Sequence, residues 1–338
     1  MGEPGPLPPH RLPAAFNSGW IYRDRVRTAD LVAAGGDGPL LVSAFYAARY
    51  RHSDQTVWRE RLAAGEIRRN GQQLRADGAL AAGDGLAWQR PPWQEAAVPV
   101  SWSVVFDDGD LHVLDKPSGL PVLPAGGWLE HTALRLLERR HADDPAGIPR
   151  PVHRLGRFTS GLLVCARRPA TRAWLSARLR ESTAAEPEAG SGEAQGCRKL
   201  YRALVLPGML PLAPGEVLPI QVPIGRRPHP QLGQIWCAAD GSDPGDRSAR
   251  STLTLLERGA SADLVQVAIA SGRPHQIRIH CAAVGAPLLG DPLYGPGGLA
   301  RATALPGDGG YRLQAWRLEL EPPDGGRLQL EVPEALGL

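Results

Sequence analysis

Lysine is almost missing from this chain: of its 38 Lys and Arg residues, only Lys116 and Lys199 are lysine. Arginine is the default cation here, so a lysine that persists marks a place for a flexible point charge that a planar guanidinium cannot imitate. Cysteine is scarce as well. Cys165, Cys197, Cys237 and Cys281 lie far apart with no CxxC pair, which argues against a structural zinc site and against a disulfide framework and leaves reduced thiols as the expectation. No apolar run reaches the ~18–20 residues that span a bilayer, so no membrane partner is expected. The opening residues, Met1 to Leu12, are rich in proline and glycine and lack the basic start, apolar core and cleavage site of a secretory leader, so the chain is expected to be cytoplasmic. No internal repeat is present.

What remains is a globular composition. Hydrophobic residues make up 43% and charged residues 22% of 338 positions, enough chain for one large domain and a small one. The net charge of +3 permits a nucleic-acid partner without demanding one. Arginines nevertheless cluster: Arg150, Arg154, Arg157, Arg167 and Arg168 crowd one stretch, and Arg135, Arg139 and Arg140 precede it. Either group alone also reads as an ordinary solvated surface.

Periodicity and turn chemistry divide the chain into a flexible lead over residues 1–39, a small domain over 40–93, and a large domain over 100–338. In the small domain, Thr56 to Gly65 reads as a helix with Trp58 and Leu62 on its apolar stripe, Thr56 as cap and Gly65 as left-handed stop. Short strands then flank the turn Asn70-Gly71, and Gly83-Asp84-Gly85 turns the chain into a strand ending near Trp88. Gln89 to Ala97, with its proline pair, reads as a linker.

The large domain begins with strand, turn and strand over Val104 to Leu114. Amphipathic helices are expected over Leu129 to His141 and Pro169 to Glu181, with the buried strand Gly161 to Ala166 between them. Residues 182–196 have no periodicity and read as a flexible insertion. Further strands are expected over Leu200 to Leu206, Leu253 to Leu256, Leu264 to Ala270, Arg312 to Leu320 and Arg327 to Val332, with Arg226 to Arg250 as loop. Many strands and few helices predict an α+β fold with a mainly antiparallel mixed sheet.

Four segments carry the chemistry. They are Leu114-Asp115-Lys116-Pro117-Ser118-Gly119-Leu120; His153-Arg154-Leu155-Gly156-Arg157-Phe158-Thr159-Ser160-Gly161; Lys199-Leu200-Tyr201-Arg202-Ala203; and Gly272-Arg273-Pro274-His275-Gln276-Ile277-Arg278, running on to Gly290-Asp291-Pro292-Leu293-Tyr294-Gly295. In this order, from about Val104 to the C-terminus, they resemble the pseudouridine synthase family typified by RluA. The resemblance implies a pseudouridine synthase fold and an isomerase that converts uridine to pseudouridine in ribosomal or transfer RNA, with no cofactor and no metal. It implies that Tyr201 stacks on an everted uracil and that Arg278 pairs with a catalytic aspartate. Arg154 matches a position that handles the everted nucleotide or its phosphate, and Lys116 and Lys199, which fall inside two motifs, are expected with it to contact the RNA and its phosphates. Residues 40–93 resemble the small alpha-L RNA-binding domain, which implies that Arg59, Arg61, Arg68 and Arg69 face phosphates.

Gly156 departs from that pattern, because it occupies the position of the catalytic aspartate. Glycine offers no nucleophile, base or charge, and its presence would leave Arg278 without an anion. Three readings stay open: another acid, Asp115 or Asp291, reaches the site; the chain is a catalytically silent RNA-binding relative; or the glycine is a change particular to this sequence. Arg157 could contact phosphate or be plain surface. His275 and His280, five residues apart, do not have the spacing of a helical metal pair, and Asp291 reads most simply as a turn acceptor.

Overall fold

The computed structural model describes residues 12–33, 38–181, 197–270, 272–322 and 325–338, which form two compact units. One comprises Ala14–Glu95 with Pro228–Gln234, and the other Ala96–Arg227 with Ile235–Leu338. Among the described residues, no helix is long and apolar enough to cross a membrane.

The smaller unit contains strand β1 (Trp20–Arg25), helices α1 (Thr28–Ala33), α2 (Val42–Arg49) and α3 (Gln55–Ala63), and strands β2 (Ile67–Arg69), β3 (Gln72–Gln73) and β4 (Gly85–Arg90). Its sheet runs β1-β4-β2-β3. Much of the stretch expected to be a flexible lead is therefore structured: β1 pairs with β4 from Trp20 opposite Arg90 to Arg25 opposite Gly85. Local pattern conceals this strand because none of its residues is fully buried; backbone pairing and the stacking of Tyr22 on Trp88, 4.9 Å between centroids, hold it instead. Asp54, not Thr56, caps α3, accepting from the Val57 N–H at 3.0 Å. Asn70 (φ 49°) and Gly71 (φ 86°) both take the left-handed region, as the expected tight hairpin requires. The core is aromatic. Tyr46 stacks on Trp58 at 4.7 Å, and Trp88 meets Trp58 edge-on at 4.8 Å.

The larger unit holds β5 (Ser103–Asp107), β6 (Leu111–Lys116), α4 (Ala133–Arg140), β7 (Arg150–Pro151), β8 (Thr159–Ala166), α5 (Pro169–Glu181), β9 (Cys197–Val205), β10 (Val217–Ile220), β11 (Ile224–His229), β12 (Gly233–Ala238), β13 (Ser251–Arg258), β14 (Asp263–Ile269), α6 (Gln276–Ala283), β15 (Leu313–Leu320) and β16 (Leu328–Glu331). Eight strands run β10-β13-β14-β9-β15-β8-β6-β5, with β16 added to β15 and β7 to β8. The sheet is antiparallel except where β15 runs parallel to β8, as an α+β fold with a mainly antiparallel mixed sheet requires. Arg226 to Arg250, expected as loop, contains the hairpin of β11 and β12. The expected flexible insertion at 182–196 lies outside the described residues.

Two of the three apolar clusters of this unit flank the site segments. Leu136 and Leu137 of α4 and Leu175 and Leu179 of α5 pack with Leu163, Val164 and Leu318 of the sheet. Ile277 and Cys281 of α6 pack with Ala203, Val205, Val265 and Val267, and Tyr311 and Leu313 belong to the same cluster. Tyr201 on β9 packs against both.

Candidate active site

The segment containing Gly156 leads from β7 into β8, and its backbone is laced to the loop after β6. The Gly119 N–H donates to the Arg157 carbonyl at 2.9 Å, the Arg157 Nε donates to the Gly119 carbonyl at 3.0 Å, and the Ser118 hydroxyl donates to the Phe158 carbonyl at 3.0 Å. Lys116 closes the junction. Its Nζ donates to the carbonyls of Pro117 (2.9 Å), Leu120 (2.8 Å) and Arg157 (3.0 Å), and the residue is 0% exposed. A lysine caged in this way cannot touch phosphate, so the expected RNA contact from Lys116 is corrected to an internal role. Burial lowers its pKa to about 7, opposed by Asp115 and aided by Arg157, while three carbonyl acceptors favour the protonated amine that can serve them all.

Lys199 and Arg157 are also drawn inward. Lys199, partly buried, donates to the Leu179 carbonyl at 2.9 Å near the C-terminal end of α5, where a cation also suits the helix dipole. The Arg157 guanidinium lies 4.1 Å from the Trp128 ring centroid and 4.8 Å from that of Phe158. Arg154 differs: it is exposed, and close enough to His275 for its charge to be felt there.

Arg278 has an anion, though not at residue 156. Its Nε and Nη2 donate to the two oxygens of Asp291, each at 2.7 Å, with side chains 3% and 0% exposed. Burial opposes the charge on Arg278, but the Asp291 carboxylate outweighs it and raises the pKa. Asp291 is also the turn acceptor read from the sequence, receiving the Leu293 N–H at 2.9 Å and the Tyr294 N–H at 3.2 Å. Its oxygens are fully committed, so it is not a free acid. Asp115 does not reach Gly156 either. It neighbours Lys116 on a strand, where successive side chains point to opposite faces, and Lys116 is the one that reaches Arg157. Burial, with Glu334 adding to it, raises the Asp115 pKa.

His275 opens α6 in the left-handed conformation (φ 57°), unusual outside glycine. The Tyr294 hydroxyl donates to the Trp236 carbonyl at 2.8 Å, so at 2.7 Å the His275 Nδ1 must donate to that hydroxyl. Burial lowers the His275 pKa to about 4, with Arg278 and Arg154 adding to the effect against Asp291. His280 bonds Ser251 and the Val222 carbonyl, each at 2.9 Å. Among the described residues, no group of three His, Cys, Asp or Glu side chains is placed to hold a metal ion.

A residue absent from the sequence reading stands at the centre. A Cβ placed on Gly156 would meet the Tyr311 Oη at 2.5 Å and the Thr159 Oγ1 at 3.2 Å. Tyr311, 3% exposed, precedes β15; its ring lies 4.2 Å from the Arg278 guanidinium carbon and 6.0 Å from the Phe158 ring. Tyr201 packs against the cluster to which Tyr311 belongs, and its burial raises its pKa to about 12, with Cys197 adding to the effect. Gly156, Tyr311, Arg278 and Asp291 thus form one chain of contacts.

Comparison with known proteins identifies the family. Residues 110–283, just over half of the chain, match the family model described as RNA pseudouridylate synthase. An uncharacterized RNA pseudouridine synthase of Synechocystis sp. is 40% identical over 87% of this chain and 91% of its own length. The chain belongs to the RNA pseudouridylate synthase family. RNA pseudouridine synthase 5 of Arabidopsis thaliana is 34% identical over 93% of this chain and 92% of its own. The ribosomal large subunit pseudouridine synthase D of Nitrosomonas europaea is 34% identical over 70% of this chain and 62% of its own. Human RNA Pseudouridylate Synthase Domain Containing 1 shares the fold, with a TM-score of 0.50 at 21% identity over 71% of this chain and 86% of its own.

In the smaller unit of this family member, only Arg59 of the expected phosphate-facing arginines is exposed, 3.6 Å from Asp77. Arg61 lies 4.2 Å from the Trp58 ring centroid and 4.6 Å from that of Trp88. Arg68 donates to Gln89 at 3.0 Å and to the Gly71 carbonyl at 3.1 Å. Arg69 pairs with Asp84 at 2.7 Å and donates to the Ala79 carbonyl at 2.8 Å. Their first duty is to this unit's own structure, which the charge count alone does not reveal.

Proposed function

We propose that this protein is an RNA pseudouridine synthase acting on uridine in structured RNA, ribosomal or transfer. The reaction breaks the C1′–N1 bond, turns the base and joins C1′ to C5, without gain or loss of atoms and without metal or cofactor. One observation carries the reading: Arg278 is held rigid by Asp291 beneath the Tyr311 ring, against the segment containing Gly156, in a member of this family. Tyr201 is the stacking residue for the everted uracil, and Arg154 the contact to its phosphate. The smaller unit serves as an alpha-L type RNA-binding domain, with Arg59 its most available cation. The setting is the cytoplasm.

A second reading, a catalytically silent RNA-binding relative, rests on the commitment of Asp291 and the placement of Asp115, which leave residue 156 without a carboxylate. Mapping pseudouridine in cellular RNA with and without the gene separates the two. Sites that vanish on deletion and return with the wild-type protein support the enzyme; an unchanged map with retained RNA binding supports the silent relative.

A further inference from the structure

We propose that Tyr311 supplies the reacting oxygen that this chain lacks at residue 156; this rests on the pseudouridine synthase reading above. An aspartate at residue 156 would extend its carboxylate beyond the Cβ, and that space holds the Tyr311 Oη, 2.5 Å from the Cβ position. The exchange is reciprocal: only a residue without a Cβ leaves room for this phenol. Gly156 is exposed and carries no side chain to screen the hydroxyl. The Thr159 hydroxyl lies 3.4 Å from it, and the Arg278 guanidinium 4.2 Å from the ring centre. Arg278 therefore touches the group that takes charge during reaction, as it would touch an aspartate, while Asp291 keeps it in place.

Tyrosine is an accepted nucleophile in glycosyl transfer, and the steps balance with groups already present. Tyr311 Oη attacks C1′ of the uridine; the C1′–N1 bond breaks, its electron pair leaves with the uracil, and the phenolic proton passes to a uracil oxygen. The released base, stacked on Tyr201, turns. C5 then attacks C1′, the C1′–Oη bond breaks with its pair returning to the phenolate, and Arg278 faces that charge. Water takes the C5 proton and N1 gains one in exchange, which restores the aromatic uracil as pseudouridine, while the proton on the uracil oxygen returns to the phenolate and regenerates the phenol.

The test uses full-length protein and ribosomal and transfer RNA purified from cells lacking the gene, in single-turnover assays of wild type, Tyr311→Phe, Gly156→Asp and the double variant G156D/Y311F. Tyr311→Phe is expected to fall on the order of 10³-fold in rate, as loss of a nucleophile does, with RNA affinity and melting temperature retained. G156D/Y311F is expected to regain activity over Tyr311→Phe, because removal of the hydroxyl frees the space for a carboxylate; Gly156→Asp alone is expected to fold poorly. Should Tyr311→Phe not fold, 3-fluorotyrosine placed at residue 311 decides: a more acidic phenol must shift the pH–rate profile to lower pH, whereas a packing role leaves it unmoved. Wild-type rates from Tyr311→Phe, or an unmoved profile, overturn the role of Tyr311 and leave the enzyme reading standing. A wild-type protein that forms no pseudouridine, beside an active G156D/Y311F, overturns both in favour of the silent relative.

Discussion

Replacing Asp291 by asparagine isolates the interaction that neutralises Arg278. The wild-type pair is fully enclosed, with side-chain exposures of 3% for Arg278 and 0% for Asp291, and makes two charge-assisted bonds of 2.7 Å. Asparagine keeps one carbonyl oxygen for the N–H groups of Leu293 and Tyr294 but turns an NH2 toward the guanidinium, leaving a buried cation unpaired. Breaking one partner of such a pair costs about 3–5 kcal/mol, most of it the penalty of the charge left behind. For a unit of this size that corresponds to a melting temperature lower by about 6–20 °C. Urea denaturation of wild type, Asp291→Asn, Arg278→Met and the double variant measures it. The double variant is expected to be less destabilised than the sum of the singles, with a coupling energy on the order of 2 kcal/mol or more, because it removes both charges together. A cost below about 1 kcal/mol for Asp291→Asn, at unchanged denaturant dependence, would mean that Arg278 finds another anion and that the reasoning about its compensation is wrong.

Acid stability tests two partly buried histidines. His153, whose Nε2 accepts the Val164 N–H at 3.0 Å, and His275 both have pKa values lowered to about 4, chiefly by burial, with cationic neighbours adding to it. The unfolded residues, near 6.5, take up protons that the folded ones refuse, so stability is full above about pH 6.5 and is lost as pH falls toward 4, by about 2–3 kcal/mol for each histidine. Urea midpoints between pH 7 and 4.5 should fall accordingly, and less so in His275→Asn; a flat profile refutes the assignment. Lys116→Met removes the donor to three carbonyls, although Arg157 keeps the Gly119 N–H. The expected loss is about 2–5 kcal/mol, with faster amide exchange over residues 153–158. Gly161 (φ 96°) leaves no room for a methyl group against the Ala315 backbone, so Gly161→Ala should damage the junction of β8 and β15 and yield little soluble protein; normal yield and melting temperature would contradict this.

Strands with a clear apolar pattern were legible in the sequence: β6, β8, β14 and β15 stand close to where their hydrophobic runs place them, and α5 begins at its proline. Elements held by backbone pairing or by distant partners were not. β1 buries no side chain fully, and β11 and β12 sit among Pro228, Pro230 and Gly233, which locally read as breakers. At the site, motif order is what points to Arg278, Tyr201 and Gly156, and turn chemistry was enough to assign Asp291 its N–H groups. The lysines show the limit. Their survival against an arginine bias did mark special positions, but the reading as phosphate contacts failed for Lys116, whose acceptors include Arg157, 41 residues away. No local signal identifies a carbonyl that far along the chain.

The same long-range logic accounts for the way the space around residue 156 is filled. An isolated Asp-to-Gly change would leave a buried guanidinium facing a void, and both the unpaired charge and the lost packing would be expected to loosen α6 and the segment around residue 156. Here the guanidinium is paired and the space beside residue 156 is filled. Asp291 neutralises Arg278 from one side and the Tyr311 ring covers it from another, while the Tyr311 hydroxyl fills the space beside Gly156. Tyr311 lies 152 residues from Thr159, the partner of its hydroxyl, so the two ends of this arrangement are brought together by the parallel pairing of β15 with β8 and by the Phe158 ring against Tyr311. A glycine at residue 156 and a tyrosine at 311 are therefore one structural unit. A phenol that large is compatible with the site only without a Cβ at 156, and the glycine leaves no void only because the phenol is there.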